Sequence, residues 1–327
     1  MTLTTKHHPN PARLVLELAL ASAVASLALA VGCDDKPEMV PPPDAGVDEF
    51  PIVPASLGRA GSPSDQLADY SCLGTRTRPP GGASIDYTLH LQDFQSSMPS
   101  KELTVRIFPD NVIRDTCTAP ECVEAMSDLS GDVPAMGASS SWFAYQVLPK
   151  MGDTTLTTVV GSAAYNELVP DAAGGEPVVG SSVSEQTLEL IPIVLGFRRA
   201  PGTAILAGRV RDCMATPVRG VTARAFAPDG TEIAEGEGAT DPHYRYFDGR
   251  SFPSADAPYT QEDGLFAAAN FAIPSGEMPI RVEIWGRLET ASAEPVLLAC
   301  EQARLFADTV TILNMGPSRS DGPTCSM

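Results

Sequence analysis

Histidine is scarce in this sequence: there are four, and two of them fall within the first ten residues. The others are His90 and His243. A Ser-His-Asp hydrolase needs a histidine held between a carboxylate and a nucleophile. His90 instead alternates with Leu89 and Leu91, as a residue on the exposed face of a strand does. The chain also lacks a nucleophile elbow, an HExxH zinc motif, a phosphate-binding loop and a dinucleotide-binding glycine motif. We predict that the protein is not an enzyme.

Basic residues are also few: 22 Lys and Arg stand against 41 Asp and Glu, which gives a formal net charge of −19. Such a surface repels phosphate, so nucleic acid is excluded as a partner. The acidity is typical of a protein that must stay soluble in a crowded compartment.

Only one long apolar run is present, from Leu14 to Gly32, and it ends at Cys33. Lys6 and Arg13 precede it, which is the layout of a secretory signal. The run ends in Leu-Ala-Val-Gly-Cys, and this end resembles the lipobox of bacterial lipoproteins. The resemblance implies cleavage after residue 32, lipidation of Cys33 by diacylglycerol and palmitate, and attachment to membrane lipid.

An uncleaved membrane helix is the alternative, because Leu14 to Gly32 is nearly long enough to cross about 30 Å of hydrocarbon. Glu17 and the many Ala and Ser residues argue against it. Plain secretion is the third possibility. We predict a lipid-anchored protein of the bacterial cell envelope, facing the periplasm or exposed at the cell surface, and leave open which membrane holds it.

Six cysteines remain once Cys33 is assigned to lipid. An even number in an exported chain predicts up to three disulfides, with fifteen possible pairings. We favour Cys117 with Cys122, which would close a small loop around Pro120. The expected remainder is Cys213 with Cys300, and then Cys72 with Cys325. A zinc site at Cys117 and Cys122 is the alternative, but no second Cys or His pair stands nearby.

Residues 33–70 are rich in Pro, Gly and Asp and show no hydrophobic periodicity. This composition favours extended, unpacked backbone, so we predict a flexible tether.

An internal repeat follows the tether. Residues 103–111 match residues 221–230: both alternate apolar and polar side chains with period two and end in a turn with Asp-Asn or Asp-Gly. The match extends upstream, where residues 89–94 and 207–213 each read as a strand that leads to an Asp. We infer two copies of one β domain.

The second copy carries a further resemblance. Its segments Gly208-Arg209-Val210-Arg211-Asp212, Pro217-Val218-Arg219-Gly220-Val221, Asp229-Gly230, Glu262-Asp263-Gly264-Leu265-Phe266 and Ile273-Pro274-Ser275-Gly276 are similar to the carboxypeptidase regulatory-like domain of the transthyretin-like (prealbumin-like) family. The similarity covers residues 203–285. It implies a Greek-key sandwich of about seven strands.

The expected fold is therefore all-β, with two tandem Greek-key β-sandwich domains after a signal peptide and a flexible tether. The expected boundaries are 1–32 for the signal, 33–70 for the tether, 71–166 for the first sandwich, 167–202 for a connecting segment, 203–315 for the second sandwich and 316–327 for a tail. Residues 188–195 can be read as a strand or as a helix.

The best candidate binding site is the stretch from residue 241 to residue 263, which is longer than a hairpin needs and concentrates aromatic residues. Aromatic rings there could stack on a sugar or a peptide, and the carboxylates could offer oxygens to calcium. The alternative is that the aromatics pack over the end of the sandwich. The candidate ligand-binding residues are Asp241, His243, Tyr244, Tyr246, Phe247, Asp248, Tyr259 and Asp263.

Two groups of enzymes related to this fold do not match. Intradiol dioxygenases hold iron with two Tyr and two His, whereas Tyr244 and Tyr246 have only His243 beside them. Hydroxyisourate hydrolases end in a Tyr-Arg-Gly-Ser-type motif that the C-terminus here lacks. We expect no catalytic residues, no cofactor and no metal.

The predicted function is that of a membrane-anchored envelope lipoprotein whose non-catalytic sandwiches serve adhesion, assembly or protein interaction. The alternative is a carbohydrate- or calcium-binding module that uses the 241–263 stretch. The partner, an envelope protein or a glycan, is not identified by the sequence.

Overall fold

A computed structural model describes residues 58–59, 68–75, 81–152, 158–248, 253–254, 256–288 and 294–317. The predicted signal peptide, the lipidation site Cys33 and the tail cysteine Cys325 lie outside these ranges. Within the described ranges, none of the helical structure has the length and apolar character needed to cross a bilayer.

The described residues form eighteen strands and one helix, so the predicted all-β class is confirmed. The strands up to the helix are β1 (Gly58–Arg59), β2 (Ser84–Asp93), β3 (Thr104–Phe108), β4 (Val123–Met126), β5 (Asp132–Ala138), β6 (Trp142–Val147), β7 (Val159–Val160), β8 (Ser162–Leu168) and β9 (Val178–Ser184). The helix α1 (Glu185–Val194) follows. The remaining strands are β10 (Thr203–Val210), β11 (Val218–Arg219), β12 (Thr222–Phe226), β13 (His243–Phe247), β14 (Pro253–Ser254), β15 (Leu265–Ala272), β16 (Glu277–Gly286), β17 (Val296–Phe306) and β18 (Val310–Met315).

Six strands recur with identical pairing, and this confirms the predicted internal repeat. β2 pairs antiparallel with β5 and parallel with β9, and β10 pairs in the same way with β15 and β18. The antiparallel series β3-β6-β8 corresponds to β12-β16-β17. We call residues 84–184 the first repeat and residues 203–315 the second repeat.

The equivalence extends to single residues. Gly131 and Gly264 both have positive φ angles, of 83° and 65°. A Cβ atom at Gly131 would lie 2.4 Å from the Leu91 carbonyl oxygen, and one at Gly264 would lie 2.5 Å from the Val210 carbonyl oxygen. Each repeat therefore needs a glycine where the chain enters its third common strand, because a side chain there would collide with the backbone of the first.

The first repeat continues further than the predicted boundary at residue 166. β9 pairs with β2 within the first repeat, so residues 178–184 belong to that repeat and not to a connecting segment. The undecided run at 188–195 is mostly helix α1, which Ser184 caps by accepting a hydrogen bond from the Thr187 N–H.

One sheet runs through both repeats. Its strand order is β14-β13-β15-β10-β18-β8-β6-β3-β4, and its centre is a parallel pairing of β18 with β8, in which Val310 lies opposite Ser162 and Leu313 opposite Tyr165. The first repeat completes its sandwich with the four-stranded sheet β5-β2-β9-β7, and the second with the three-stranded sheet β12-β16-β17. The two sandwiches are thus joined edge to edge through nine continuous strands.

Buried side chains form three clusters, and the largest crosses the junction. It contains Phe108, Ala163 and Tyr165 of the first repeat together with residues such as Leu206 and Val282 of the second. The Tyr165 hydroxyl accepts a hydrogen bond from the Arg304 N–H at 3.0 Å. Because apolar burial is the main driving force for folding, the shared cluster holds the repeats together in addition to the strand pairing.

The second cluster fills the first sandwich, with members such as Leu89, Leu91 and Phe143. The third lies under the helix α1 and contains Leu188 of the helix together with Ile205 and Val310 of the nine-stranded sheet. The helix therefore covers part of the outer face of the sheet in the second repeat.

The disulfides differ in part from the prediction. Cys117 and Cys122 are joined as expected, and the other described disulfide joins Cys72 to Cys213 with the Cα atoms 5.8 Å apart. The predicted pairs Cys213–Cys300 and Cys72–Cys325 are therefore wrong. Cys213 lies in the loop after β10, next to the segment 68–75, whereas Cys300 lies within β17 of the three-stranded sheet.

The end of the predicted tether is not unpacked. Gly58–Arg59 pairs antiparallel with Val218–Arg219 of the second repeat. Asp69 donates its N–H to Asp212 Oδ2 at 3.0 Å and accepts the Cys213 N–H at 2.8 Å. The chain thus contacts the second repeat before it enters the first.

Candidate functional site

The predicted binding stretch is largely a strand, not a loop. Residues His243–Phe247 form β13, which pairs antiparallel with β15 so that His243 lies opposite Ala269 and Tyr246 opposite Phe266. The alternating burial of a strand therefore decides which of the candidate side chains can reach solvent.

The two central tyrosines belong to the core. Tyr246 is 7% exposed, and its hydroxyl accepts a hydrogen bond from the Ala223 N–H at 2.9 Å. The Tyr244 hydroxyl donates to the Ile233 carbonyl oxygen at 2.6 Å, and its ring meets Phe271 edge to face. Burial raises the pKa of both phenols well above the usual value. Neither ring is therefore free to stack on a ligand, which agrees with the alternative that the aromatic residues pack onto the sandwich.

His243 is equally enclosed. Its side chain stacks on Phe197 with the ring centres 5.0 Å apart, and Nε2 lies 3.1 Å from the Gly238 carbonyl oxygen. Glu235 lies beside the imidazole and also pairs with Arg245 at 2.6 Å. His243, one of the candidate ligand-binding residues, is thus packed against Phe197 just after the helix α1.

The carboxylates of this stretch serve its turns. Asp241 accepts the Gly238 N–H at 2.7 Å, and Asp263 accepts the Leu265 N–H at 3.1 Å. In the described part of the chain, no three His, Cys, Asp or Glu side chains are grouped so that they could hold a metal ion. The calcium site that requires Asp241, Asp248 and Asp263 together is therefore not formed. Phe247 packs against the cluster under the helix α1, and Tyr259 is partly exposed.

A groove of about 590 Å³ opens elsewhere, between the end of β8 and the start of β9. Leu168 and Val179 are 45% and 50% exposed at its sides. Its lining is formed by Glu167, Leu168, Pro170, Asp171, Ala172, Gly175, Glu176, Pro177, Val178 and Val179. A surface concavity of this size with apolar walls can accept a ligand segment.

Glu167 is the polar side chain with the most unusual environment in this groove. Asn166 has a φ of 61° at a β-bulge, where two residue steps on β6 oppose three on β8. Glu167 accepts a hydrogen bond from Asn314 Nδ2 at 3.2 Å. Burial raises the pKa of its carboxyl group to about 7, against the opposing attraction of Arg211 and the hydrogen bond from Asn314.

A chain of asparagines links the groove to both repeats. Asn111 Nδ2 donates to Asn166 Oδ1 at 2.7 Å, and Asn166 Nδ2 donates to the Asn314 carbonyl oxygen at 2.7 Å. These residues are 55 and 148 positions apart in sequence. No local pattern pointed to them, since isolated asparagines are common in turns.

No protein-family profile and no curated protein sequence matches the chain. Among solved structures it is similar to the shaft pilin SpaA of Lactobacillus rhamnosus GG, with 10% identity, 72% of this chain and 98% of that chain covered, and a TM-score of 0.20. A minor pilin of Streptococcus agalactiae gives 10% identity, coverages of 72% and 96%, and a TM-score of 0.21. An intradiol ring-cleavage dioxygenase from Tetranychus urticae gives 12% identity, coverages of 35% and 64%, and a TM-score of 0.17. TM-scores this low do not support transfer of a function, so the function must be argued from the residues of this chain.

Proposed function

We propose that the protein is a lipid-anchored protein of the bacterial cell envelope, and that its two sandwiches form a rigid, non-catalytic body for adhesion, assembly or protein interaction. The observation that carries the proposal is the nine-stranded sheet, which continues from one repeat into the other. A sheet shared in this way resists bending between the repeats, which suits a body that holds a binding surface at a distance from a membrane.

The attachment of the N-terminal segment supports the same function. Gly58–Arg59 and Cys72 are both joined to the second repeat, the latter covalently. Gly58 lies 25 positions after Cys33, and a fully extended chain of that length spans at most about 85 Å. A lipid on Cys33 would therefore keep the body within that distance of the membrane.

The anchor is tested by replacing Cys33 with Ser and fractionating cells of the native host. The wild-type protein is expected in the membrane fraction, and the Cys33→Ser protein in the soluble fraction. Cys325→Ser is the matched control, because it also removes one sulfur but leaves the lipidation site. Retention of Cys33→Ser in the membrane would show that residues 14–32 act as an uncleaved helix.

The interaction role is tested separately by cross-linking in intact cells. Links between the folded part and other envelope proteins are expected, and they should persist when the anchor is replaced by a cleaved, unlipidated signal. Exclusive links within the chain itself would contradict an interaction role while leaving the anchor result unaffected.

A further inference from the structure

Two arginines, Arg209 and Arg211, lie near the end of strand β10 and directly after it. Arg209 and Arg211 are two residues apart, so they lie on the same face of the extended chain. Across the part of the chain that the structure describes, neither side chain makes a hydrogen bond or an ion pair, and the Nε atoms of both are buried. Buried charged groups are ordinarily paired, because desolvating an unpaired charge is costly.

In the first repeat, the residue equivalent to Arg209 has an acidic partner on the neighbouring strand. Arg209 lies opposite Leu265, and the equivalent residue His90 lies opposite Asp132. His90 Nδ1 is 2.7 Å from Asp132 Oδ1. The second repeat thus carries a permanently charged side chain where the first has histidine, and a leucine where the first has the matching carboxylate.

Two carboxylates, Asp263 and Glu167, interact electrostatically with the pair but form no ion pair with it. Burial and repulsion by Arg211 lower the pKa of Arg209, and the attraction of Asp263 does not offset them. Burial raises the pKa of the Glu167 carboxyl group to about 7, and the attraction of Arg211 acts in the opposite direction. In the described part of the chain the two guanidinium groups thus have carboxylates in their surroundings but form no ion pair with them, and the chain as a whole has a formal net charge of −19.

We propose that Arg209 and Arg211 form a binding site for a carboxylate group of a partner polypeptide. Side chains at alternate positions of a strand start about 7 Å apart. The guanidinium groups of two arginines whose side chains begin that far apart can converge on one carboxylate and hold it by charge-assisted hydrogen bonds. The site deepens the proposed interaction function by naming the chemistry that the partner must present.

Glu167 connects the arginines to the groove, since it lines the groove and interacts with Arg211. Exposed Leu168 and Val179 would contact apolar side chains next to the bound carboxylate. The strongly negative net charge disfavours polyanions. The occupant that fits is a peptide segment with a single carboxylate among apolar residues.

The test uses the full mature chain with Cys33→Ser and fluorescein-labelled octapeptides of valine, proline and serine. One peptide contains a single glutamate and is amidated, one contains glutamine instead, and one contains glutamine with a free C-terminal carboxylate. Fluorescence anisotropy is expected to show binding of the glutamate peptide or the free-carboxylate peptide and none of the amidated glutamine peptide. Which of the two carboxylates binds identifies its source.

The variant Arg209→Gln/Arg211→Gln should weaken binding about tenfold or more, because charge-assisted hydrogen bonds are lost. The matched control Arg106→Gln/Arg224→Gln removes the same charge from arginines that already pair with Glu124 and Glu232, and it should bind like the wild type. Equal binding of the amidated glutamine peptide, equal losses in both variants, or no binding by the wild type would overturn the proposal. So would displacement of the peptide by sodium chloride as effectively as by sodium acetate at the same ionic strength.

Thermal unfolding separates this role from a structural one. In the described part of the chain neither arginine forms a hydrogen bond or an ion pair that the substitution would remove, so the Tm of Arg209→Gln/Arg211→Gln should be close to that of the wild type. A Tm several degrees lower, together with unchanged peptide affinity, would show that the arginines stabilise the fold and do not bind a ligand.

Discussion

The disulfide between Cys72 and Cys213 should be the larger of the two described covalent contributions to stability. It joins residues 141 positions apart and so encloses the entire first repeat, whereas Cys117 and Cys122 are 5 positions apart. A disulfide stabilises a protein mainly by restricting the unfolded chain, and the restriction grows with the logarithm of the loop length.

The loop-closure relation gives about 5 kcal/mol for the long loop and about 2 kcal/mol for the short one. We therefore expect Cys72→Ala/Cys213→Ala to lower the free energy of unfolding by about 3 kcal/mol more than Cys117→Ala/Cys122→Ala does. The denaturant dependence should also steepen in the long-loop variant, because its unfolded state exposes more surface.

Urea titrations of both variants in the Cys33→Ser chain provide the measurement. Trp142 lies in β6 of the first repeat and Trp285 in β16 of the second, so tryptophan fluorescence reports on both repeats. Single Trp→Phe variants at these positions check that the two transitions coincide, as expected for repeats that share one sheet. If the long-loop variant loses no more stability than the short-loop variant, the loop-closure reasoning is refuted.

Three further results are expected. In urea titrations, Gly264→Ala should lower the free energy of unfolding by about 2 kcal/mol more than Gly276→Ala does. Both glycines have positive φ, but only at Gly264 would a Cβ atom lie against backbone, 2.5 Å from the Val210 carbonyl oxygen. Equal losses would contradict this collision. Burial raises the pKa of the Glu167 carboxyl group from 4.5 to about 7 in the folded protein. Between these pH values the folded state binds this proton more tightly than the unfolded state, so the free energy of unfolding should fall by up to about 3 kcal/mol as the pH rises from 4.5 to 7. Glu167→Gln should remove that part of the slope, and an unchanged profile would rule out the assignment. Non-reducing peptide mapping should recover Cys72 linked to Cys213 and Cys117 linked to Cys122, and a peptide linking Cys213 to Cys300 would contradict the fold described above.

The elements with local signals were predictable. Alternating apolar residues marked β3 and β12, and the recurring Asp, at the end of β2 and just after β10, revealed the repeat. The small disulfide Cys117–Cys122 was also predicted, because residues so close in sequence meet with little loss of chain entropy.

The candidate binding site was not predictable in the same way. The aromatic residues of 241–263 are what a binding loop contains, but they are also what a buried edge of a sheet contains. Tyr246 is held in the core by its cross-strand neighbour Phe266 and by a hydrogen bond from Ala223 of the three-stranded sheet, and both residues are distant from it in sequence. The arginine pair gave no signal, since two exposed arginines on a strand are unremarkable until their partners are known.

The sequence by itself determined the strand content, the duplication and an N-terminal pattern that predicts export. These properties depend on side-chain periodicity, turn residues and apolar runs, all of which act over a few neighbouring residues. Tertiary structure alone decided that β18 would pair with β8, that Cys72 would reach Cys213, and that Arg209 and Arg211 would lie half-buried without an ion pair in the described part of the chain. Each of these depends on which strand edges meet, and the edge of a strand offers the same N–H and C=O groups whatever its sequence.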